Sequence, residues 1–234
     1  MQSALDHLDV GGRRIAYRLR EGAGPQLVFL PGYASDMEGA KALALDEFAG
    51  RRGLGLLRFD YSGTGSSGGR FEDGTLDLWL EEALAAMDQL TSGPVILVGS
   101  SMGGWLALHV ALLRPERVQS VVGIAVAPDF TEWGFTPAEV AQLNDGGRLT
   151  RSFWKSGQRM LVLEKEMAID CPVRLIHGEK DEEVPLEIAF RTMRALRSGD
   201  VQLNVIKAGG HRLSQPHEID AILRTVAHLL EPPS

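Results

Sequence analysis

Gly99-Ser100-Ser101-Met102-Gly103 has the pattern G-x-S-x-G, which can present a serine hydroxyl at a sharp turn from strand to helix. The pattern alone is weak, and a second copy, Gly65-Ser66-Ser67-Gly68-Gly69, lies in the same chain. Context separates them. Ser101 follows the apolar run Pro94 to Ser100 and opens a helical stretch to Leu113, whereas no helical pattern follows Ser67. Such a turn strains its serine and presses helix against strand, so small residues are needed two before and two after, where Gly99 and Gly103 stand. Ser101 is the candidate nucleophile, and Ser100 should point elsewhere.

A serine hydroxyl attacks a carbonyl only when a base takes its proton. Among His7, His109, His177, His211, His217 and His228, the setting favours His211. It follows an apolar run, Val201 to Ala208, through Gly209-Gly210, at the strand ends where parallel sheets carry their sites. His109 lies mid-helix, His177 ends a strand, and His217 and His228 lie on the last helix, so these four read as structural. The acid that orients the base should lie between serine and histidine in the chain, after an intervening strand. Asp181 meets both conditions, with Glu179 and Glu182 as rivals. The backbone N–H groups of Met102, at the helix start, and Tyr33, in the loop after Gln26 to Gly32, are the expected oxyanion donors.

The elements that must hold these residues alternate. Apolar runs at 26–32, 54–61, 94–100, 121–127, 173–178 and 201–208 read as buried parallel strands, being continuous rather than alternating. Residues 36–51, 75–91, 103–114, 186–197 and 216–230 repeat apolar positions at helical spacing. The fold class is therefore α/β, a mostly parallel sheet with helices on both faces. Residues 5–10 and 13–20 flank Gly11-Gly12 and read as a hairpin that adds an antiparallel edge. The rhythm breaks at about 128–168, which reads as a small helical cap inserted in a single domain spanning 1–234. Its aromatics, Phe130, Trp133, Phe135, Phe153 and Trp154, either form the cap's own core or line a substrate pocket.

Composition narrows the partners. The net charge of −7 opposes binding to phosphate backbones, so nucleic acid is not expected. Gly63 to Gly68 spells G-x-G-x-x-G, but further glycines follow where a dinucleotide fold needs a helix, so it reads as a turn. No phosphate-binding loop and no metal-ligand spacing is present, so neither cofactor nor metal is expected. The start, Met1 to His7, lacks a signal-peptide pattern, no apolar stretch reaches spanning length, and the single cysteine, Cys171, forms no internal disulfide. A cytoplasmic protein without stable membrane insertion is the expectation. The oligomeric state is left open.

From about Gln26 to Leu230 the chain resembles the α/β-hydrolase superfamily in the order Ser101, Asp181, His211. Phe29-Leu30-Pro31-Gly32-Tyr33, Lys41-Ala42-Leu43-Ala44, Arg58-Phe59-Asp60-Tyr61-Ser62-Gly63, Ile96 to Ser101 and Gly103-Gly104-Trp105 are similar to the mitochondrial palmitoyl-protein thioesterase branch. Members of that branch are acyl-protein thioesterases that also hydrolyse the acyl-glucuronide of mycophenolic acid. The resemblance implies small-molecule or S-acylated protein substrates and a preference for S-acyl or activated acyl esters. The cap reads as shorter than in the branch and no mitochondrial targeting segment is expected, so a substrate of its own is compatible with the match.

Overall fold

The computed structural model describes residues 3–147 and 149–231. Its first two strands, β1 (Leu5–Val10) and β2 (Arg13–Arg20), form the expected hairpin, with the turn at Gly11 and Gly12, both at positive φ. The chain then alternates: β3 (Ala23–Leu30), α1 (Ala40–Arg52), β4 (Leu54–Phe59), α2 (Leu76–Leu90), β5 (Val95–Ser100), α3 (Met102–Leu113) and β6 (Val118–Ile124). Three short helices follow, α4 (Phe130–Trp133), α5 (Pro137–Gln142) and α6 (Arg151–Arg159), before β7 (Val173–Gly178), α7 (Leu186–Ala195), β8 (Val201–Ile206) and α8 (Pro216–Leu229).

These strands form one sheet in the order β1-β2-β4-β3-β5-β6-β7-β8. The β1–β2 and β2–β4 pairs are antiparallel and the remaining pairs are parallel. Because successive side chains point to opposite faces, a strand covered on both sides must be apolar throughout. In β5, Val95 and Leu97 pack with α2 and α3, while Ile96 and Val98 pack with α1 and α8. That alternation explains why the run carries no polar residue before Gly99.

β8 departs from the reading of the apolar runs as buried. It is an edge strand, all its residues are half-buried or exposed, and Val205 is 39% exposed. Val201 and Leu203 pack on one face of the sheet and Ile206 on the other, each only half-buried. The strand also stops at Ile206, because Ala208 turns with φ of 59°.

The Gly63 to Gly68 turn holds no helix. Its amides close on Asp60, whose carboxylate accepts from Ser66 N at 2.8 Å and from Met37 N at 2.7 Å. A Cβ at Gly65 would stand 2.0 Å from the Asp60 carboxylate, so glycine is required there. Ser67, the second G-x-S-x-G serine, staples this turn by accepting from Ala16 N and donating to Asp60 O.

The segment between β6 and β7 is clamped at its base. Asp129 is fully buried, and its two carboxylate oxygens accept from Val162 N and Leu163 N at 2.9 and 2.8 Å. Phe153 of α6 lies 5.0 Å from Tyr33, 5.6 Å from Trp79 and 5.8 Å from Phe130 between ring centroids. Trp133 and Trp154 donate to the carbonyls of Pro128 and Thr131. These aromatics build the segment's own core and its seat on α2 and α3.

Candidate active site

Ser101 stands between β5 and α3 with φ of 54° and ψ of −119°, a conformation that a side chain ordinarily avoids. The strain is held from both sides. Its N–H donates to Ile124 O at 2.8 Å, and its carbonyl accepts from Gly104 N at 2.9 Å. A Cβ at Gly99 would stand 2.4 Å from Gly103 O, and one at Gly103 would stand 2.1 Å from Leu30 O. Both glycines are therefore needed for helix, elbow and neighbouring strand to pack at this distance. Ser100 is the buried last residue of β5, and it too borders the cavity in front of Ser101.

β7 and β8 bring the other two residues to the same sheet edge. Beyond β7, Asp181 sits in a loop stitched to the loop beyond β8: Lys180 N donates to Gly209 O at 2.8 Å, and Ala208 N to the Glu179 carboxylate at 3.0 Å. His211 Nδ1 donates to Asp181 Oδ2 at 2.8 Å, and Ser101 Oγ donates to His211 Nε2 at 3.0 Å. The Asp181 side chain has no exposed surface, and its other oxygen, Oδ1, accepts from Glu183 N and Val184 N at 2.9 and 2.8 Å. Burial pushes its carboxyl up, but the His211 bond and these backbone donors outweigh that and hold it below the ordinary carboxylate range. The carboxylate therefore stays ionised and fixes the imidazole with Nδ1 protonated and Nε2 open to accept. A serine so arranged can lose its proton as it attacks.

Of the rival acids, Glu179 is spent on Ala208 N and Glu182 is exposed, so neither is bonded to His211. Glu183, which sequence reasoning passed over, has its carboxylate 3.8 Å from His211 Nε2. No pattern could have singled it out, because its position depends on how the 178–184 loop turns. His109 donates to Met160 O and His177 to Val184 O. Cys171 offers no competing nucleophile, since burial pushes its thiol up to about 11.

Ser101 and His211 open on a cavity of about 650 Å³ bordered by Tyr33, Ser35, Lys41, Arg212 and Ser214. Lys41 donates to Arg212 O at 2.5 Å, and burial together with the Arg212 charge pushes its ammonium down. None of the five aromatics of the 128–168 segment borders this cavity. Tyr33 borders it from the loop after β3, its ring packed on Phe71 and Phe153. Met102 begins α3, so its N–H is among the helix-start donors that lack an intrahelical acceptor. Among the described residues, no helix is long and apolar enough to cross a membrane.

Comparison with known proteins agrees with this architecture. A family model described as "Alpha/beta hydrolase family" matches residues 27–167. Mitochondrial palmitoyl-protein thioesterase ABHD10 of mouse is 37% identical, the match covering 93% of this chain and 79% of that protein. The human protein of the same name is 36% identical, with 93% and 76% covered. The structure of mouse alpha/beta hydrolase domain-containing protein 10 superposes with a TM-score of 0.91 at 35% identity, covering 97% and 98% of the two chains. That of a putative hydrolase from Agrobacterium vitis S4 gives 0.89 at 36%, covering 98% and 99%.

The expected cytoplasmic location is corrected by these relatives. They are named as mitochondrial proteins, so the cytoplasmic expectation does not stand. The expectation rested on cysteine usage and on the first few residues, and a single free cysteine suits any reducing compartment. The family match over residues 27–167 and the thioesterase relatives settle the wider question: this chain belongs to the alpha/beta hydrolase family.

Proposed function

We propose that the protein hydrolyses acyl esters and thioesters through a covalent acyl-serine, with Ser101 as nucleophile, His211 as general base and Asp181 as the acid that orients it. The observation that carries this reading is the continuous hydrogen-bond line from Asp181 through His211 to Ser101. Ser101 Oγ attacks the acyl carbon as His211 Nε2 takes its proton, and the N–H groups of Tyr33 and Met102 bind the oxyanion. His211 then gives the proton to the departing thiol or alcohol, and water deacylates the serine by the same route. A thiol, with an ordinary pKa of about 8.5, leaves with less help from the imidazolium than an alcohol does. Within a single domain of residues 1–234, the 128–168 segment serves as a small cap beside this site.

Thioester substrates are suggested by the name of the relatives, palmitoyl-protein thioesterase. The cavity favours a second reading, short or polar acyl groups, because small and polar residues border it and the segment's aromatics do not. Each acyl CH₂ buried against apolar surface contributes roughly 0.8 kcal/mol, so a long-chain enzyme should improve steadily with length. The test is kcat/KM for matched thioesters and oxyesters from about two to about sixteen carbons, with Ser101→Ala as control. A Ser101-dependent rise with chain length on thioesters supports the long-chain reading, and a maximum at short chains supports the second. Activity untouched by Ser101→Ala overturns both.

A further inference from the structure

His177 lies one residue from the end of β7, opposite Val205 of β8, and its side chain is 1% exposed. Its Nε2 donates to the carbonyl of Val184 at 2.9 Å and stands 3.5 Å from Asp181 Oδ2, the oxygen that His211 also binds. Val184 is the residue whose N–H donates to Asp181 Oδ1. The contacts therefore run in one line, from His177 to Val184, to Asp181, to His211 and to Ser101. His177 does not border the cavity and touches no reacting atom.

From this line we infer that His177 is a positioning residue for the reaction: it fixes the Val184 end of the 178–184 loop, so that Asp181 presents one oxygen to backbone donors and the other to His211. The inference rests on the Ser101 reading above. Two further observations support it. A carbonyl can only accept, so the bond to Val184 fixes the proton on Nε2, and burial keeps the ring neutral by pushing its pKa down. The ring's other nitrogen, Nδ1, is buried without a hydrogen-bond partner. An apolar side chain would fill the same space without leaving a polar atom unpaired, so packing alone does not explain a histidine here.

The alternative is a purely structural tie, and reach separates the two. Glutamine at 177 can bring its amide nitrogen to the place of Nε2, while asparagine is shorter and reaches only the place of Nδ1. His177→Gln should keep kcat close to that of the parent enzyme. His177→Asn should lower kcat by about 10–10²-fold with KM little changed, because a misplacement of about 1 Å in a catalytic arrangement can cost about 10²-fold. The downfield proton resonance of the His211–Asp181 hydrogen bond should persist in the Gln variant and shift or broaden in the Asn variant. Equal kcat in the two variants, or a resonance that both leave unchanged, would overturn the inference, even where both lower the Tm. Ser101→Ala is assayed alongside. Activity surviving there sinks the underlying mechanism, whereas activity lost there but kept in His177→Asn sinks only the role of His177.

Discussion

Ser101 Oγ and His211 Nε2 are 3.0 Å apart although 110 positions separate them in the chain. The sheet order brings them together. β5 carries Ser101 at the centre, β6 and β7 follow it, and the loop beyond the edge strand β8 folds back over the same strand ends.

The two adjacent serines should behave very differently. Ser101→Ala is expected to lower kcat on the order of 10⁴-fold or more, and Ser100→Ala only slightly, since Ser101 alone of the two is bonded to His211. Steady-state kinetics on one activated ester distinguishes them. Equal losses at both positions would contradict the elbow.

Asp181→Asn keeps an oxygen for the Glu183 and Val184 amides but can turn an NH₂ group towards His211 Nδ1. The imidazole then adopts the other tautomer and Nε2 loses its capacity to accept. A fall in kcat of about 10⁴-fold is expected, while Glu179→Gln and Glu182→Gln should stay near the parent value. A comparable loss in either glutamate variant would reassign the acid.

Gly103→Ala would force a Cβ to within 2.1 Å of Leu30 O and 2.5 Å of Pro31 O, both backbone atoms. Overpacking of this kind costs about 1–3 kcal/mol, so thermal unfolding should move down by roughly 2–12 °C, with activity lost as α3 shifts. Gly199→Ala, where nothing stands within 4 Å of the new methyl, is the control and should melt like the parent.

His109 and His177 give the stability a pH dependence whose sign is fixed. Burial holds both below their ordinary 6.5, so the unfolded chain binds these protons at a pH where the folded chain does not. Stability is fully present above about 6.5 and falls as pH drops through it. Burial pushes the Asp60 and Asp129 carboxyls up, which acts in the opposite sense, but from a window that opens near 3.8. The Tm should therefore fall between about pH 7.5 and pH 6, and His109→Gln should flatten part of that slope. A Tm that rises over this interval would contradict the assignment of buried neutral rings.

Much of this arrangement is legible in the residues. The six apolar runs, the Gly11-Gly12 hairpin and the helix after Ser101 follow from local pattern, because burial on two faces makes a central strand such as β5 apolar throughout. Ser101, Asp181 and His211 are legible because each follows a strand at the same edge of a parallel sheet. What the sequence could not supply depends on where loops close. Glu183 beside His211, Lys41 and Arg212 along the cavity and the Val184 carbonyl over His177 are all set by loop paths with no periodicity. The Phe130 and Phe153 rings were equally suited to a pocket or to a core, since apolar pattern reports burial and not what does the burying. β8 carries the same kind of run as the central strands, and only its place at the end of the sheet leaves it half exposed.

The central claim is that Ser101 forms a covalent bond during the reaction, and a fluorophosphonate probe followed by peptide mass spectrometry tests it most directly. The account predicts a single adduct on the peptide at Ser101, present in the parent and in Ser100→Ala and absent in Ser101→Ala. An adduct that persists in Ser101→Ala, or a folded and active parent that takes up no probe, would contradict it.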